Sequence, residues 1–219
     1  MENKVYSKVY FWLFIGLLVT FLTGIYTATN KDALAVIFTQ GFYWIFLLIE
    51  LGLAIFLSAR IHKMQPTTAK ISYLLYTFFS GLTFSSIFIT YKLESIILVF
   101  AITSVLFLIF AVIGYFTKID LSKIGTFLLM ILIGVIICTI VNIFLQNSTF
   151  DLILSIICIV AFLGFVAYDV QKIKHLNGFM LEDNLAVMGA FELYLDFINI
   201  FIDLLRILEI LTTKSQKSW

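Results

Sequence analysis

Proline is almost missing from this chain: one residue in 219, Pro66. Charge is nearly as scarce, at 12% of residues, and 14 Lys and Arg against 13 Asp and Glu leave a net charge of +1. There are two cysteines and two histidines. Each shortage excludes something. Without a broad basic field there is no electrostatic footprint for nucleic acid. Cys138 and Cys158 sit inside apolar runs, and His62 and His175 in polar loops. The Cys/His cluster of a structural zinc or a haem is therefore missing, and the cysteines are expected as small buried hydrophobes. No nucleophile elbow, phosphate loop or zinc motif is present, nor the Tyr-Asp with Gly-x-Gly-Asp pairing of an intramembrane aspartyl protease, so the chain is not expected to be an enzyme. A retinal Schiff base needs a lysine in the last span, and none lies between Lys174 and Lys214.

What is present is apolar: 62% of residues, with 24 Phe among them. A soluble domain of this size needs far more polar surface to cover its core, so the surplus must face lipid. A spanning helix takes about 20 mostly apolar residues. Seven runs qualify, at roughly 9–29, 42–59, 71–90, 96–116, 124–145, 152–171 and 185–211. They are continuous rather than alternating with period two, which excludes a β-barrel. The first follows Lys4 and Lys8 as a signal peptide would, but it is long enough to span, and no small-residue cleavage pattern precedes Asn30. It is expected as a retained first helix. The connections are short, so sequential helices are expected as antiparallel neighbours in one domain covering 1–219. The expected fold class is thus an all-α membrane protein of seven transmembrane helices. Lys and Arg gather in the N-terminal segment and in the loops after spans two, four and six, which places the N-terminus in the cytoplasm. Seven spans then put the C-terminus outside, against which Lys214 and Lys217 argue.

The seventh span breaks the apolar rule. Glu192, Asp196, Asn199, Asp203, Arg206 and Glu209 follow one another at intervals of four, three, four, three and three, which is one stripe of a helix. A charge at the bilayer centre costs at least about 2.5–3.5 kcal/mol. The stripe is therefore expected to face the bundle interior, with the C-terminal helix central. The alternative is an amphipathic helix lying on the membrane, which an acidic stripe disfavours because anionic lipid attracts a basic one. Partners must come from other spans: Glu50 midway along the second, Arg60 at its end, Asp169 closing the sixth. Arg206 is a natural counter-ion for Glu50 or Asp203. Asp169 and Asp196, 27 residues apart around a turn, fall at similar depth in an antiparallel hairpin. If they meet, they share a proton, and an arginine such as Arg60 would stabilise the deprotonated pair. Otherwise Asp169 marks the aqueous end of its helix.

Three segments carry a family resemblance. Leu193-Tyr194-Leu195-Asp196-Phe197-Ile198-Asn199, with Leu204-Leu205-Arg206, resembles the last-helix signature of the Bax inhibitor-1 family, also called the transmembrane Bax inhibitor motif family. Ala167-Tyr168-Asp169-Val170-Gln171 resembles its sixth-helix motif, and Ser80-Gly81-Leu82-Thr83-Phe84-Ser85-Ser86-Ile87 its third-helix motif. The resemblance implies seven helices with the last one central, and a pH-sensitive calcium leak. It implies a di-aspartyl pH sensor at Asp169 and Asp196, which calcium would contact in transit. It implies a latch at Arg60, whose flanking residues carry no motif, and a pore ion pair of Glu50 and Arg206. Glu192, Asn199 and Asp203 are expected as further pore-lining polar residues, Glu192 and Asp203 adding acid to the stripe beyond the family's pattern. The composition, rich in Ile, Phe, Lys and Asn, resembles a prokaryotic member, which implies the cell membrane. The expected partners are calcium ions, protons and the lipid bilayer; the chain is expected as a monomer without a resident cofactor. A proton-coupled secondary transporter is the alternative, since intramembrane carboxylates also relay protons, although no matched Gly/Pro interruptions appear.

Overall fold

The computed structural model describes residues 2–39 and 41–216. Its elements are α1 (Glu2–Thr29), α2 (Lys31–Leu34), a π turn (Ala35–Thr39), α3 (Phe42–Arg60), a 3₁₀ turn (Ile61–Lys63), α4 (Pro66–Thr90), α5 (Leu93–Phe116), α6 (Ser122–Leu145), α7 (Ser148–Leu176) and α8 (Glu182–Gln216). The fold is all-α. Seven of these helices are long and apolar enough to cross a membrane, one for each predicted run. They outrun the runs that announce them: the last candidate span is Glu182–Thr213, against the expected 185–211. Polar residues end an apolar run, but they do not end a ladder of backbone hydrogen bonds.

Termination is local chemistry. Pro66 starts α4, where its missing N–H costs nothing. The connection expected at 30–40 contains α2, because the Asn30 side chain accepts from the backbone N–H groups of Asp32 and Ala33. Gln146, at φ 50°, closes α6 in the left-handed region. Asn147 then caps α7 by accepting from the N–H groups of Thr149 and Phe150 at 2.9 and 3.0 Å.

The chain divides into two compact units, Met1–Leu93 with Leu176–Tyr194, and Glu94–His175 with Leu195–Trp219. In the first unit α1 lies on α4. A Cβ on Gly81 would stand 2.6 Å from Thr23 Cβ and 2.8 Å from the Thr20 carbonyl. Without it the two backbones come close enough for side chains to cross between them, the small-residue packing expected of helices in lipid. In the second unit the close approach is α5 on α7, where a Cβ on Gly114 would stand 2.7 Å from Ala167 Cα. Phe197 of α8 lies edge-on to Phe100 and Phe107 of α5, with centroids 5.3 and 5.6 Å apart. Gly52 and Gly134 have open space where a Cβ would go.

The last helix is the most enclosed. In its apolar stretch 78% of residues are buried, against 44% or fewer in every other span. That is what the cost of turning its stripe to lipid requires.

Candidate functional site

The polar stripe of α8 is graded along its length. Glu192 and Asn199 are half-buried, Asp196 and Asp203 buried, Arg206 half-buried and Glu209 exposed. In the second unit, three carboxyl groups are almost wholly removed from the surface: Asp169 on α7 at 7% exposed, and Asp196 and Asp203 on α8 at 4% and 7%. Helical spacing accounts for the pair on α8, since positions seven apart return to the same face after two turns.

Asp203 has the best-defined surroundings. Arg206, one turn on, brings a guanidinium nitrogen to 3.7 Å from its carboxylate and to the same distance from Asp151, near the start of α7. At that length these are loose ion pairs rather than hydrogen bonds. The Ser155 hydroxyl and the Cys158 thiol of α7 complete the surroundings. The sequence points to Arg206 and Asp203, but not to Asp151, Ser155 or Cys158. Asp151 reads there as a residue of the connecting loop, and an apolar run hides Ser155 and Cys158. Asn199 donates from Nδ2 to the Leu195 carbonyl one turn back, at 2.7 Å.

Around Asp169 the sixth-helix motif resolves into contacts. Ala167 meets Gly114, and the Tyr168 ring covers Gly125. Gln171 clamps the connection before α6, accepting from the Leu121 N–H and donating to the Ile119 carbonyl, both at 2.8 Å. The buried aspartate thus sits on a stretch of helix held by its neighbours on both sides.

The first unit holds the remaining predicted residues. Glu50, half-buried on α3, accepts a 2.7 Å hydrogen bond from Thr83 of α4. Arg60 ends α3 and is exposed. Two further clusters here escape a reading of the sequence. At the start of α8, Asp183 takes Lys8 at 2.8 Å and Lys70 at 2.7 Å, and Lys8 also reaches Glu182 at 2.9 Å. Deeper in, the Tyr194 hydroxyl lies 2.7 Å from that of Thr20 and 2.9 Å from that of Ser80. Tyr194 and Ser80 stand in two of the quoted motifs, but nothing in the sequence joins them to Thr20, an ordinary residue of an apolar helix. Among the described residues, no three His, Cys, Asp or Glu side chains stand together so as to hold a metal ion.

The comparisons with known proteins agree with this architecture. The family model described as inhibitor of apoptosis-promoting Bax1 matches residues 2–213. An uncharacterised protein of Borreliella burgdorferi is 38% identical over 214 residues, covering 95% of this chain and 92% of its own. The inner membrane protein YbhL of Escherichia coli K12 is 38% identical over 209 residues, covering 92% and 89%. An uncharacterised membrane protein of Streptococcus pyogenes serotype M1 is 31% identical over 212 residues, covering 94% and 92%.

Proposed function

The chain belongs to the family of the inhibitor of apoptosis-promoting Bax1, as a multi-pass membrane protein, and on that premise we propose that it is a pH-sensitive calcium leak channel of the cell membrane. Its proton sensor is the pair Asp169 and Asp196, and its N-terminus is cytoplasmic. The observation that carries this reading is the burial of both carboxyl groups, on α7 and α8 of one unit, in a chain whose other spans are apolar. Carboxylate oxygens suit a hard cation such as calcium, and acidic groups along a passage favour cations over anions. Protonation removes the charge that attracts the cation, so one pair of groups both senses the proton and sets the flux. Asp203, held by a loose pair with Arg206, adds a third carboxylate to the same stripe.

The test is calcium flux into liposomes containing the purified protein, at several pH values, with potassium as the comparison cation. The expected result is a calcium flux that varies with pH, and a pH profile that flattens in Asp169→Asn and in Asp196→Asn. Unchanged flux and an unchanged profile in both variants would overturn the sensor. Saturable uptake with counterflow would instead identify a proton-coupled transporter.

A further inference from the structure

The lysines at the helix ends are treated differently in the two units. In the first, Lys8 and Lys70 lie 2.7 to 2.9 Å from the carboxylates of Glu182 and Asp183. In the second, Lys118, Lys123, Lys172 and Lys174 gather where α5 ends, α6 begins and α7 ends. One exposed carboxylate stands among them, Asp120, and it accepts the Ser122 N–H at 2.9 Å. Among the described residues, no ion pair holds Lys118, Lys123 or Lys174.

Direct contacts bind these three helix ends together. Gln171 of α7 bonds to the backbone of Ile119 and Leu121, both at 2.8 Å, which fixes the loop that carries Lys118. The Tyr168 ring of α7 lies against Gly125, two residues beyond Lys123 in the first turn of α6. Lys174 reaches α5 itself: its ammonium stands 5.2 Å from the centre of the Tyr115 ring. That of Lys172 stands 5.9 Å from the Tyr168 ring. A cation over an aromatic face is attracted to it and keeps its charge and its N–H donors. The rings therefore limit where the two ammonium groups sit without neutralising them.

The same loop is apolar on its outside. Phe116 is 72% exposed and Ile119 69%, on either side of Lys118. Exposed apolar residues, tyrosines and lysines together are the composition of a helix end at the level of the lipid headgroups. A lipid of net negative charge offers these lysines what Glu182 and Asp183 offer Lys8 and Lys70. An acidic protein segment would match the charges, but it would leave Phe116 and Ile119 without apolar surroundings.

We propose that the α5–α6 loop and the last turn of α7 form a binding site for the headgroup of an anionic phospholipid. Lys118, Lys123 and Lys174 donate to its phosphate oxygens, and Phe116 and Ile119 lie against its acyl chains. Lysine suits the task, as a compact charge with three donors. The site rests on the chain being a membrane protein. It takes nothing from the calcium leak or from the Asp169 and Asp196 pair.

The experiment is photo-crosslinking of the whole protein in phosphatidylcholine nanodiscs. These are doped with a photoreactive phosphatidylglycerol or, separately, with a photoreactive phosphatidylcholine of the same chains. Labelled peptides are mapped by mass spectrometry, and the ratio of the two yields is read over residues 116–124. A ratio above that on the rest of the chain is the expected result. Lys118→Gln and Lys174→Gln are each expected to lower it about fivefold, the effect of one cation at an anionic surface. Lys174→Arg keeps the charge and the ring contact and is expected to keep the ratio. Lys63→Gln removes an exposed lysine of the first unit and is expected to leave it unchanged. Equal labelling by the two lipids in the unsubstituted protein overturns the proposal and leaves the lysines to a soluble acidic partner. An equal fall in Lys63→Gln and Lys174→Gln also overturns it, because a diffuse field rather than a site then draws the lipid. Calcium flux plays no part in the readout, so failure of the leak leaves this result standing.

Discussion

Each of the two units has a glycine that lets two helices touch, and among the described residues the carboxyl groups that are nearly fully buried all lie in the second. In the first, Gly81 brings α4 against α1, and the groups enclosed nearby are the neutral hydroxyls of Thr20, Ser80 and Tyr194. In the second, Gly114 meets Ala167, and the enclosed groups are the carboxyls of Asp169, Asp196 and Asp203. Hydroxyls both donate and accept, so they can saturate one another. Carboxylates only accept, and need a proton or a cation to be buried cheaply. One unit thus encloses groups that can satisfy one another, the other groups that need a proton or a cation. The α8 helix, which runs through both, shows the same contrast in its aspartates. Asp183 is partly exposed between two lysines at contact distance, whereas Asp203 is enclosed with a single arginine at 3.7 Å.

The largest expected effect tests the close approach in the second unit. Gly114→Val directs side-chain atoms at the backbone of Ala167, which cannot rotate away. A loss of about 3 kcal/mol or more is expected, read as a lowered Tm in detergent. Gly81→Ala also meets Thr23, a side chain with some freedom to move, and is expected to lose less. Equal losses would mean that the two seams are equally rigid. A middle-sized effect tests the enclosed carboxylate. Asp203→Ala leaves Arg206 with Asp151 alone; because that arginine is 37% exposed, the loss is discounted to about 1–2 kcal/mol in denaturant unfolding. The smallest tests the exposed end: Asp183→Asn is expected to lower Tm by less than about 4 °C, with the difference fading in high salt. A salt-insensitive loss at Asp183, or a salt-sensitive one at Asp203, would break the contrast between the two aspartates.

The motifs were visible in the sequence as patterns, without the reasons for their residues. Ser80, Gly81 and Thr83 stand together in the third-helix motif, yet each faces a different neighbour: the Tyr194 hydroxyl, the α1 backbone and the Glu50 carboxylate. Gln171 follows Asp169 by two residues, and its task is to tie down a loop some 50 residues away, at Ile119 and Leu121. Such partners lie far off in the chain and nothing near them in sequence marks them.

Hydropathy by itself determined the seven spans, since an apolar run of that length has no other stable surroundings than lipid. Charge spacing determined that one face of the last helix must be sheltered, because hydrocarbon does not solvate carboxylates. Only the tertiary structure decided the partners: Asp151, Ser155 and Cys158 beside Arg206 and Asp203, Thr83 on Glu50, and the hydroxyls of Thr20 and Ser80 on Tyr194. The physical reason is that periodicity sets which face of a helix turns inward. Which side chains meet there depends on how close the backbones come, and that is set by small residues such as Gly81 and Gly114 at a few points of contact.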